Sequence, residues 1–249
     1  MARMKFMNTE IDNLTMQETL QAIDRLIQED KSAYVVTPNV DHIVQLETSK
    51  ELQAVYENAS LILTDGKPLL WIAKWYGIPI KEKISGSDLF PLLCDMAAKK
   101  GYKMFFLGAA EGVAAKAAEN LANKFNQLQV VGTYSPPFGF EKNQDEMDKI
   151  KAMIKETAPH ILIVGLGCPK QEKFMYHHCK ELGVPISFGL GASFDFEAGN
   201  IKRAPRWMSN HGLEWLFRIT QDPKRMAKRY LVDDRKILGL AVKYRKGSR

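Results

Sequence analysis

The sequence predicts an α/β protein, because short apolar runs alternate along the chain with longer amphipathic segments. The runs are rich in β-branched and aromatic residues, as is typical of buried parallel strands. There are six of them, over residues 33–37, 61–64, 103–107, 129–132, 160–164 and 185–188. Strands that alternate with helices indicate right-handed βαβ crossovers, so we expect a Rossmann-like, largely parallel sheet flanked by helices.

The segments between and after these runs carry helix start signals. Thr15 and Ser87 can cap the helices that follow them, and Pro223 suits the first position of another helix. The predicted helices cover residues 16–28, 88–99, 111–125, 203–209, 213–220 and 223–246. We therefore expect a Rossmann-like domain over residues 1–199 and a C-terminal helical appendage over residues 200–249.

Charge divides the chain at the same place. Residues 200–249 contain fourteen Lys and Arg against four Asp and Glu, a net charge of +10, whereas residues 1–199 sum to −4. A cationic segment that also carries Trp and Tyr is typical of chains that bind a polyanion or an anionic bilayer. A solvated basic face on an amphipathic helix is the simpler explanation of most of these charges, but apolar residues at helical spacing also resemble an interfacial helix with a lipid-facing stripe. The stripe consists of Met226, Tyr230, Ile237, Leu240, Ala241 and Tyr244.

Composition limits the cellular location that we expect. The chain has 249 residues, 45% of them hydrophobic, which is enough for a sizeable core. Its three cysteines have no paired spacing and its first residues lack the apolar run of a signal peptide, so we expect a reducing cytoplasm. No run of about 18 apolar residues occurs, so we expect membrane contact to be peripheral.

Polar residues follow the first two predicted strands, where ligands of such sheets bind. Thr37 and Asn39 follow the first strand and suit sugar hydroxyls, although capping the next helix is the simpler role for them. Asp65 and Gly66 follow the second strand, and an Asp-Gly pair is ordinary turn chemistry. A carboxylate at a strand end is also where a general base belongs. On a sugar alcohol, Asp65 would remove the hydroxyl proton as that oxygen attacks an anomeric carbon, which inverts the configuration.

The glycine-rich turn at residues 165–167 invites comparison with a dinucleotide site. Its third glycine is missing, Pro169 occupies the turn, and no acidic residue ends the next strand, so a dehydrogenase is disfavoured. For this motif alone, shaping the turn and contacting a phosphate are equally good explanations. The cation, amide and carboxylate at 170–172 favour a nucleotide-sugar diphosphate over NAD.

A metal site is not expected. Asp195-Phe-Glu197 is the nearest approach to the Asp-x-Asp element that holds a divalent ion in many sugar-nucleotide enzymes, but no third ligand accompanies it. The five histidines are scattered without metal-ligand spacing. We therefore predict activity without a metal and without any other cofactor.

Seven segments are informative when they are taken together and in order. They are Thr37–His42, Thr64–Gly66, Gly86–Asp88, Gly165–Glu172, Gly191–Asp195, Arg203–Trp207 and Gly212–Arg218. These segments resemble the WecG/TagA/CpsF glycosyltransferase family, and the resemblance covers nearly the whole chain. It implies a metal-free, inverting transfer of N-acetylmannosamine from its UDP donor to the 4-hydroxyl of N-acetylglucosamine on undecaprenyl diphosphate. The product would carry the β-1,4 linkage of the wall teichoic acid linkage unit.

The resemblance also implies roles for particular residues. Asp65 is the expected base, Thr37 and Asn39 line the sugar pocket, and Gln171 lies at the donor site. Arg218 and Arg225, and after them Arg229, are expected to contact the diphosphate, because a departing UDP without a metal needs arginines to stabilise its charge. The remaining residues assigned to the substrate site are Gly66, Gly108, Gly167 and Glu172.

Several partners and alternatives follow from the resemblance and from the appendage. The appendage would hold the enzyme on the inner face of the cell membrane and close over the active site. An amphipathic tail that is unpaired in solution exposes apolar surface, which leaves a homo-oligomer open. A related transferase that uses UDP-N-acetylmannosamine uronic acid is one alternative. A nucleic-acid-binding protein is another, although the apolar stripe and the polar strand ends disfavour it.

Overall fold

The computed structural model describes residues 3–246, apart from six side chains of the C-terminal segment. Those side chains belong to Arg206, Asn210, Arg225, Leu231, Asp233 and Lys246. The predicted diphosphate contact of Arg225 therefore lies outside the described residues, although the backbone of Arg225 lies in a helix.

The strands form two sheets, and the larger sheet is parallel. Within residues 3–246 the strands are β1 (Arg3–Phe6), β2 (Thr9–Asp12), β3 (Ala33–Val36), β4 (Leu61–Ile62), β5 (Lys103–Gly108), β6 (Gln129–Tyr134), β7 (Ile161–Gly165) and β8 (Ile186–Gly189). β1 and β2 form an antiparallel hairpin that the sequence pattern did not reveal. The six-stranded sheet has the order β4-β3-β8-β7-β5-β6, and its pairings from β3 to β6 are all parallel. The predicted Rossmann-like sheet is therefore confirmed.

The helices match the predicted ones in the first part of the chain and differ at its end. They are α1 (Met16–Glu29), α2 (Val40–Leu46), α3 (Lys50–Glu57), α4 (Lys67–Tyr76), α5 (Gly86–Lys100), α6 (Val113–Lys124), α7 (Gln144–Thr157), α8 (Lys170–Leu182), α9 (Gly191–Glu197), α10 (Arg206–Asn210), α11 (Glu214–Gln221), α12 (Pro223–Lys228) and α13 (Ile237–Lys246). A helical C-terminal appendage is thus confirmed, but its predicted last helix over 223–246 is interrupted.

The interruption consists of a π-helical turn at Arg229–Asp233 followed by a 3₁₀ turn at Asp234–Lys236. Residues five apart lie on one side of a π-helical turn and on different sides of an α-helix. The irregular backbone therefore lets the buried Asp234 carboxylate approach Arg229, with Oδ2 3.8 Å from Nε. The spacing of apolar residues carries no information about this pairing of charges. The sequence therefore predicted a single helix over residues 223–246.

The chain forms two compact units. The first unit contains residues 3–15, 37–85 and 201–246 of the described chain, and the second contains residues 16–36 and 86–200. The predicted domain boundary between residues 199 and 200 stays a prediction.

In the first unit, the β1–β2 hairpin positions the strand that leads to Asp65. Asp12, at the end of β2, is buried and forms an ion pair with Arg3 at 3.0 Å. Its Oδ2 also accepts a hydrogen bond from the backbone N–H of Ile62 at 2.9 Å. A buried carboxylate needs such partners, and here they join the hairpin to β4.

In the second unit, three phenylalanines form the centre of the core beneath the strand ends. Phe90 of α5, Phe106 of β5 and Phe194 of α9 are fully buried. Their ring centroids lie 5.3–5.7 Å apart in tilted or edge-to-face arrangements, which aromatic pairs favour. This cluster fixes α9 against the sheet.

The predicted lipid-facing stripe of the appendage is wrong for three of its six residues, because their side chains pack inside the first unit. Met226, Ile237 and Ala241 are buried, with 7%, 8% and 4% of their surface exposed. The other members, Tyr230, Leu240 and Tyr244, are half-buried. Helical spacing shows that one face is apolar but does not show whether protein or lipid covers it. Among the described residues, no helix is both long enough and apolar enough to cross a membrane.

Candidate active site

Asp65 is held where β4 leads into α4. The two residues before it, Leu63 and Thr64, are buried, and Asp65 itself is half-buried. Its backbone N–H donates to the carbonyl oxygen of Pro38 at 2.9 Å, which ties the end of this strand to the segment after β3. Gly66 follows with φ of +95°, a conformation that disfavours any other residue, and it begins α4. The carboxylate therefore stands on a fixed backbone beside a helix N-terminus.

Asn39 caps α2, as the simpler interpretation of the sequence predicted. Its Oδ1 accepts hydrogen bonds from the backbone N–H groups of Asp41 at 3.1 Å and His42 at 3.4 Å. The guanidinium of Arg229 reaches the same oxygen, with Nη2 donating at 3.2 Å. Thr37 lies two residues earlier and is buried, 8% exposed. The cap thus also anchors an arginine of the C-terminal segment.

These residues border a cavity of about 400 Å³ in the first unit, a size that suits a small ligand. Five of the predicted site residues line it: Asn39, Asp65, Gly66, Arg218 and Arg229. The other described lining residues are Val40, Lys67, Pro68, Lys83, Ser209, Gly212, Glu214, Trp215, Tyr230, Asp234, Arg235, Ile237 and Leu238. Thr37 is not among the described lining residues. The cavity wall is therefore built from residues 39–83 and from residues 209–238.

Arg218 of α11 is oriented by a carboxylate one helical turn away. Its Nη2 donates to Oε1 of Glu214 at 2.9 Å. Burial lowers the pKa of Arg218, but the carboxylates of Glu214 and Asp65, joined at high pH by the ionised Tyr230 hydroxyl, outweigh burial and hold that pKa above its ordinary value. Arg218 therefore remains a cation within the electrostatic reach of Asp65.

Arg229 is surrounded by negative groups. Its Nη2 lies 3.6 Å from Oδ2 of Asp41, and its Nε lies 3.8 Å from Oδ2 of Asp234. The adjacent Tyr230 lies edge-on to Trp215, with ring centroids 6.2 Å apart. Burial raises the pKa of the Tyr230 hydroxyl, and the charges of Arg218 and Arg229 partly offset this rise. Tyr230 is therefore a neutral hydrogen-bonding group at neutral pH.

Apart from Thr37 and Arg225, the remaining predicted residues lie in the second unit, at or after the ends of β5 and β7. Gln171 and Glu172, in the first turn of α8, are buried, and Nε2 of Gln171 donates to Oε1 of Glu172 at 2.8 Å. Oε1 of Gln171 is buried and has no hydrogen-bond partner among the described residues. Buried amide oxygens are rarely left without a partner, so this one is a candidate ligand contact.

Glycines at these strand ends are required by close packing. A Cβ on Gly165 would lie 2.5 Å from the Phe194 ring, and one on Gly108 would lie 2.5 Å from the carbonyl oxygen of Gly165. Gly108 also has φ of +107°, and Gly167 has φ of +77° in open space. Close packing and backbone conformation therefore explain why the turn contains glycines, while a phosphate contact stays a prediction.

Sequence reasoning missed several lining residues because it concentrated on strand ends. Lys83 lies in the segment between α4 and α5, where no periodic pattern marks it. Asp234 and Arg235 lie in the irregular turns of the appendage. Glu214 could have been found, since a carboxylate four residues before an arginine on a helix is a recognisable ion-pair spacing.

Comparison with known proteins places this architecture among the glycosyltransferases. Residues 4–249 match the model of the glycosyl transferase WecG/TagA/CpsF family. The chain is 35% identical over 200 residues to the N-acetylglucosaminyldiphosphoundecaprenol N-acetyl-beta-D-mannosaminyltransferase of Bacillus spizizenii (strain ATCC 23059 / NRRL B-14472 / W23), covering 80% of this chain and 75% of the relative. It is 29% identical over 199 residues to the protein of the same name from Bacillus subtilis (strain 168), with the same coverage of 80% and 75%. The chain therefore belongs to the WecG/TagA/CpsF family of glycosyltransferases.

Proposed function

We propose that this chain transfers N-acetylmannosamine from UDP-N-acetylmannosamine to the 4-hydroxyl of N-acetylglucosamine carried on undecaprenyl diphosphate. The product is the β-1,4-linked disaccharide of the wall teichoic acid linkage unit. The family membership supports the reaction class, and the names of the two Bacillus relatives support the sugar and the lipid acceptor.

The observation that carries the proposal is the cavity that Asp65, Arg218 and Arg229 line together. Asp65 accepts the proton of the acceptor hydroxyl as its oxygen bonds to the anomeric carbon of the donor. The bond from that carbon to the β-phosphate oxygen breaks at the same time, and its electron pair leaves with UDP. A single displacement of this kind inverts the anomeric configuration.

Arg218 and Arg229 provide the positive charge that the departing diphosphate requires. Charge-assisted hydrogen bonds from arginines are strongest in a cavity from which water is largely excluded. This assignment makes the transfer independent of a metal. Arg225 is retained as a third candidate on the family resemblance alone.

The other assigned residues bind the sugars and the nucleotide. Because Oδ1 of Asn39 already serves as a cap, its Nδ2 is the group that donates to a sugar hydroxyl. Thr37 is kept as a sugar contact on the family resemblance. Oε1 of Gln171, which has no hydrogen-bond partner in the described part of the chain, supports a donor contact for that side chain. Gly66 in the first unit, and Gly108, Gly167 and Glu172 in the second, are kept as proposed substrate contacts on the family resemblance. The lipid acceptor requires work at a membrane, and we assign this protein a peripheral position on the inner face.

The test is incubation of the purified full chain with UDP-N-acetylmannosamine and a lipid-diphosphate N-acetylglucosamine acceptor, with and without EDTA. We expect disaccharide product in both conditions, and at least about a hundredfold slower formation by the Asp65→Asn variant. A parallel reaction with UDP-N-acetylmannosamine uronic acid tests the alternative donor, and preference for it would overturn the donor assignment. Loss of product with EDTA and recovery with Mg²⁺ would overturn metal independence.

A further inference from the structure

The first unit exposes apolar side chains that the predicted stripe did not include. On α4, Trp71 and Trp75 are 55% and 45% exposed. On α13, Leu238 and Val242 are 72% and 48% exposed. Each pair is spaced four residues apart and so shares one side of its helix. Large apolar side chains exposed in groups mark interaction sites more often than isolated ones do.

The two helices lie side by side. The Arg245 guanidinium lies 4.3 Å from the centroid of the Trp75 ring, and the Tyr76 hydroxyl donates to the carbonyl oxygen of Ala241 at 2.6 Å. Arg245 follows Val242 on the same side of α13 as Leu238, because positions 238, 242 and 245 are separated by one turn each. The exposed pairs on α4 and α13 therefore form one continuous surface, which we call the docking face: Trp71, Trp75, Leu238, Val242 and Arg245.

The docking face reaches the candidate active site. Leu238 lines the cavity and is also the most exposed member of the face. Trp71 contacts the other side of the opening, since a Cβ on Gly212, a cavity-lining residue, would lie 2.6 Å from the Trp71 ring. The cavity therefore opens beside this apolar surface.

The charge of the two helices is entirely positive. The sequences KPLLWIAKWY of α4 and ILGLAVKYRK of α13 contain five Lys and Arg and no Asp or Glu. Arg235 and Lys236, which immediately precede α13, are exposed as well. A surface that combines tryptophans, aliphatic side chains and cations is complementary to the interface of an anionic bilayer, where tryptophans concentrate.

We propose that the docking face rests on the surface of an anionic bilayer, so that the cavity opens at the level of the lipid headgroups. The inference rests on the proposed function to the extent that a lipid-linked acceptor explains why the cavity should open there. It replaces the buried stripe as the membrane contact, and it assigns part of that contact to α4, which lies outside the appendage.

Vesicle binding by the full chain tests the docking face. Co-sedimentation is measured with phosphatidylcholine vesicles that contain or lack phosphatidylglycerol. We expect binding to the anionic vesicles, and a loss of at least about tenfold in apparent affinity for Trp71→Ala/Trp75→Ala. Phe138→Ala is the matched control, because Phe138 is an exposed aromatic side chain of the second unit. It should bind like the wild type.

Two further variants separate lipid contact from a change in folding. Trp71→Phe/Trp75→Phe should keep most of the vesicle affinity but lose most of the blue shift in tryptophan fluorescence. Val242→Asp should weaken binding to anionic vesicles by about tenfold, whereas Leu92→Asp adds the same charge at an exposed aliphatic residue of α5 and should have no such effect. Circular dichroism verifies that every variant is folded.

The outcomes distinguish the docking face from the proposed function. Unchanged vesicle affinity in Trp71→Ala/Trp75→Ala would overturn the docking face, and so would a wild-type dimer that these substitutions dissociate, because a second copy would then cover the surface. With a water-soluble acceptor, Val242→Asp should retain wild-type turnover. Absence of transfer by the wild type on either acceptor would overturn the proposed function. The vesicle results would still decide whether the docking face binds an anionic bilayer.

Discussion

The two compact units hold their candidate site residues in different ways. In the second unit, the side chain of Gln171 donates a hydrogen bond to its neighbour Glu172 within one helical turn. Gly165 contacts α9, the helix that follows the neighbouring strand. In the first unit, Asn39 near the beginning of the chain accepts a hydrogen bond from Arg229 near its end. The second unit contains locally built pieces of a site, whereas the first unit has a cavity that exists only because distant segments meet. The chemistry that we assign to Asp65 depends on this cavity of the first unit, and so on contacts between distant parts of the chain.

The largest expected effect is that of Asp65→Asn, which removes the base and keeps the size of the side chain. Turnover should fall at least about a hundredfold, because proton removal is lost while donor binding is kept. Steady-state kinetics with saturating acceptor measures the change, and donor affinity measured by titration calorimetry is the control. A folded variant with near-wild-type turnover would contradict the role of the first-unit cavity.

Arg218 tests whether the C-terminal segment takes part in the chemistry. Arg218→Ala should lower kcat by about ten- to a hundredfold, because one group that stabilises the departing diphosphate is lost. Arg218→Lys should recover only part of this loss, since lysine keeps the charge but lacks the planar fork of arginine. An effect confined to KM, or full recovery by lysine, would indicate a general electrostatic role instead.

Gly165→Ala tests the close packing of the second unit. A Cβ would lie 2.5 Å from the fully buried Phe194 ring, so the free energy of unfolding should fall by about 1–3 kcal/mol. Gly239→Ala is the contrasting control, because Gly239 lies in α13 and no atom of the described residues lies within 4 Å of the added carbon. That change should leave the free energy of unfolding equal or raise it by about 0.5–1 kcal/mol. Urea denaturation measures both values, and equal stability of the two variants would contradict the packing argument.

The smallest effect concerns the attachment of α13 through Glu47. Hydrogen bonding from Lys243, together with bonds from Tyr244 and Asn8, outweighs burial and holds the pKa of Glu47 below its ordinary value. A depressed folded-state pKa contributes stability above the ordinary glutamate pKa and loses it as the pH falls through the folded value. Thermal melts should therefore show a slightly smaller loss of stability below pH 4.5 for Glu47→Gln than for the wild type. Identical acid dependence would indicate that this contact does not hold the helix.

Much of the fold could be predicted from the sequence because its signals are local. Apolar runs located all six strands of the parallel sheet, and the change of pattern after residue 199 located the helical appendage. The β1–β2 hairpin escaped prediction because its four-residue strands are too short for a clear alternation. The break at Arg229–Lys236 escaped because the spacing of apolar residues carries no sign of the pairing between Arg229 and Asp234.

The candidate site was predictable only in part for the same physical reason. Strand-end reasoning found Asn39, Asp65 and Gly66, since parallel strands place such residues at one edge of the sheet. Lys83 and Tyr230 were not identified as site residues, because their positions depend on how loops and the appendage pack within the first unit. Apolar periodicity identified the inward side of α13 but assigned it to lipid, although protein covers it.

The two contacts of the Asp12 carboxylate make the activity sensitive to loss of the N-terminal residues. One carboxylate holds both Arg3 and the N–H of Ile62, so the strand before Asp65 is secured by residues at the very beginning of the described chain. A protease that trims the first dozen residues would leave every proposed catalytic side chain in place and still free that strand. We expect activity to be lost in step with such trimming, before any of the proposed site residues is touched.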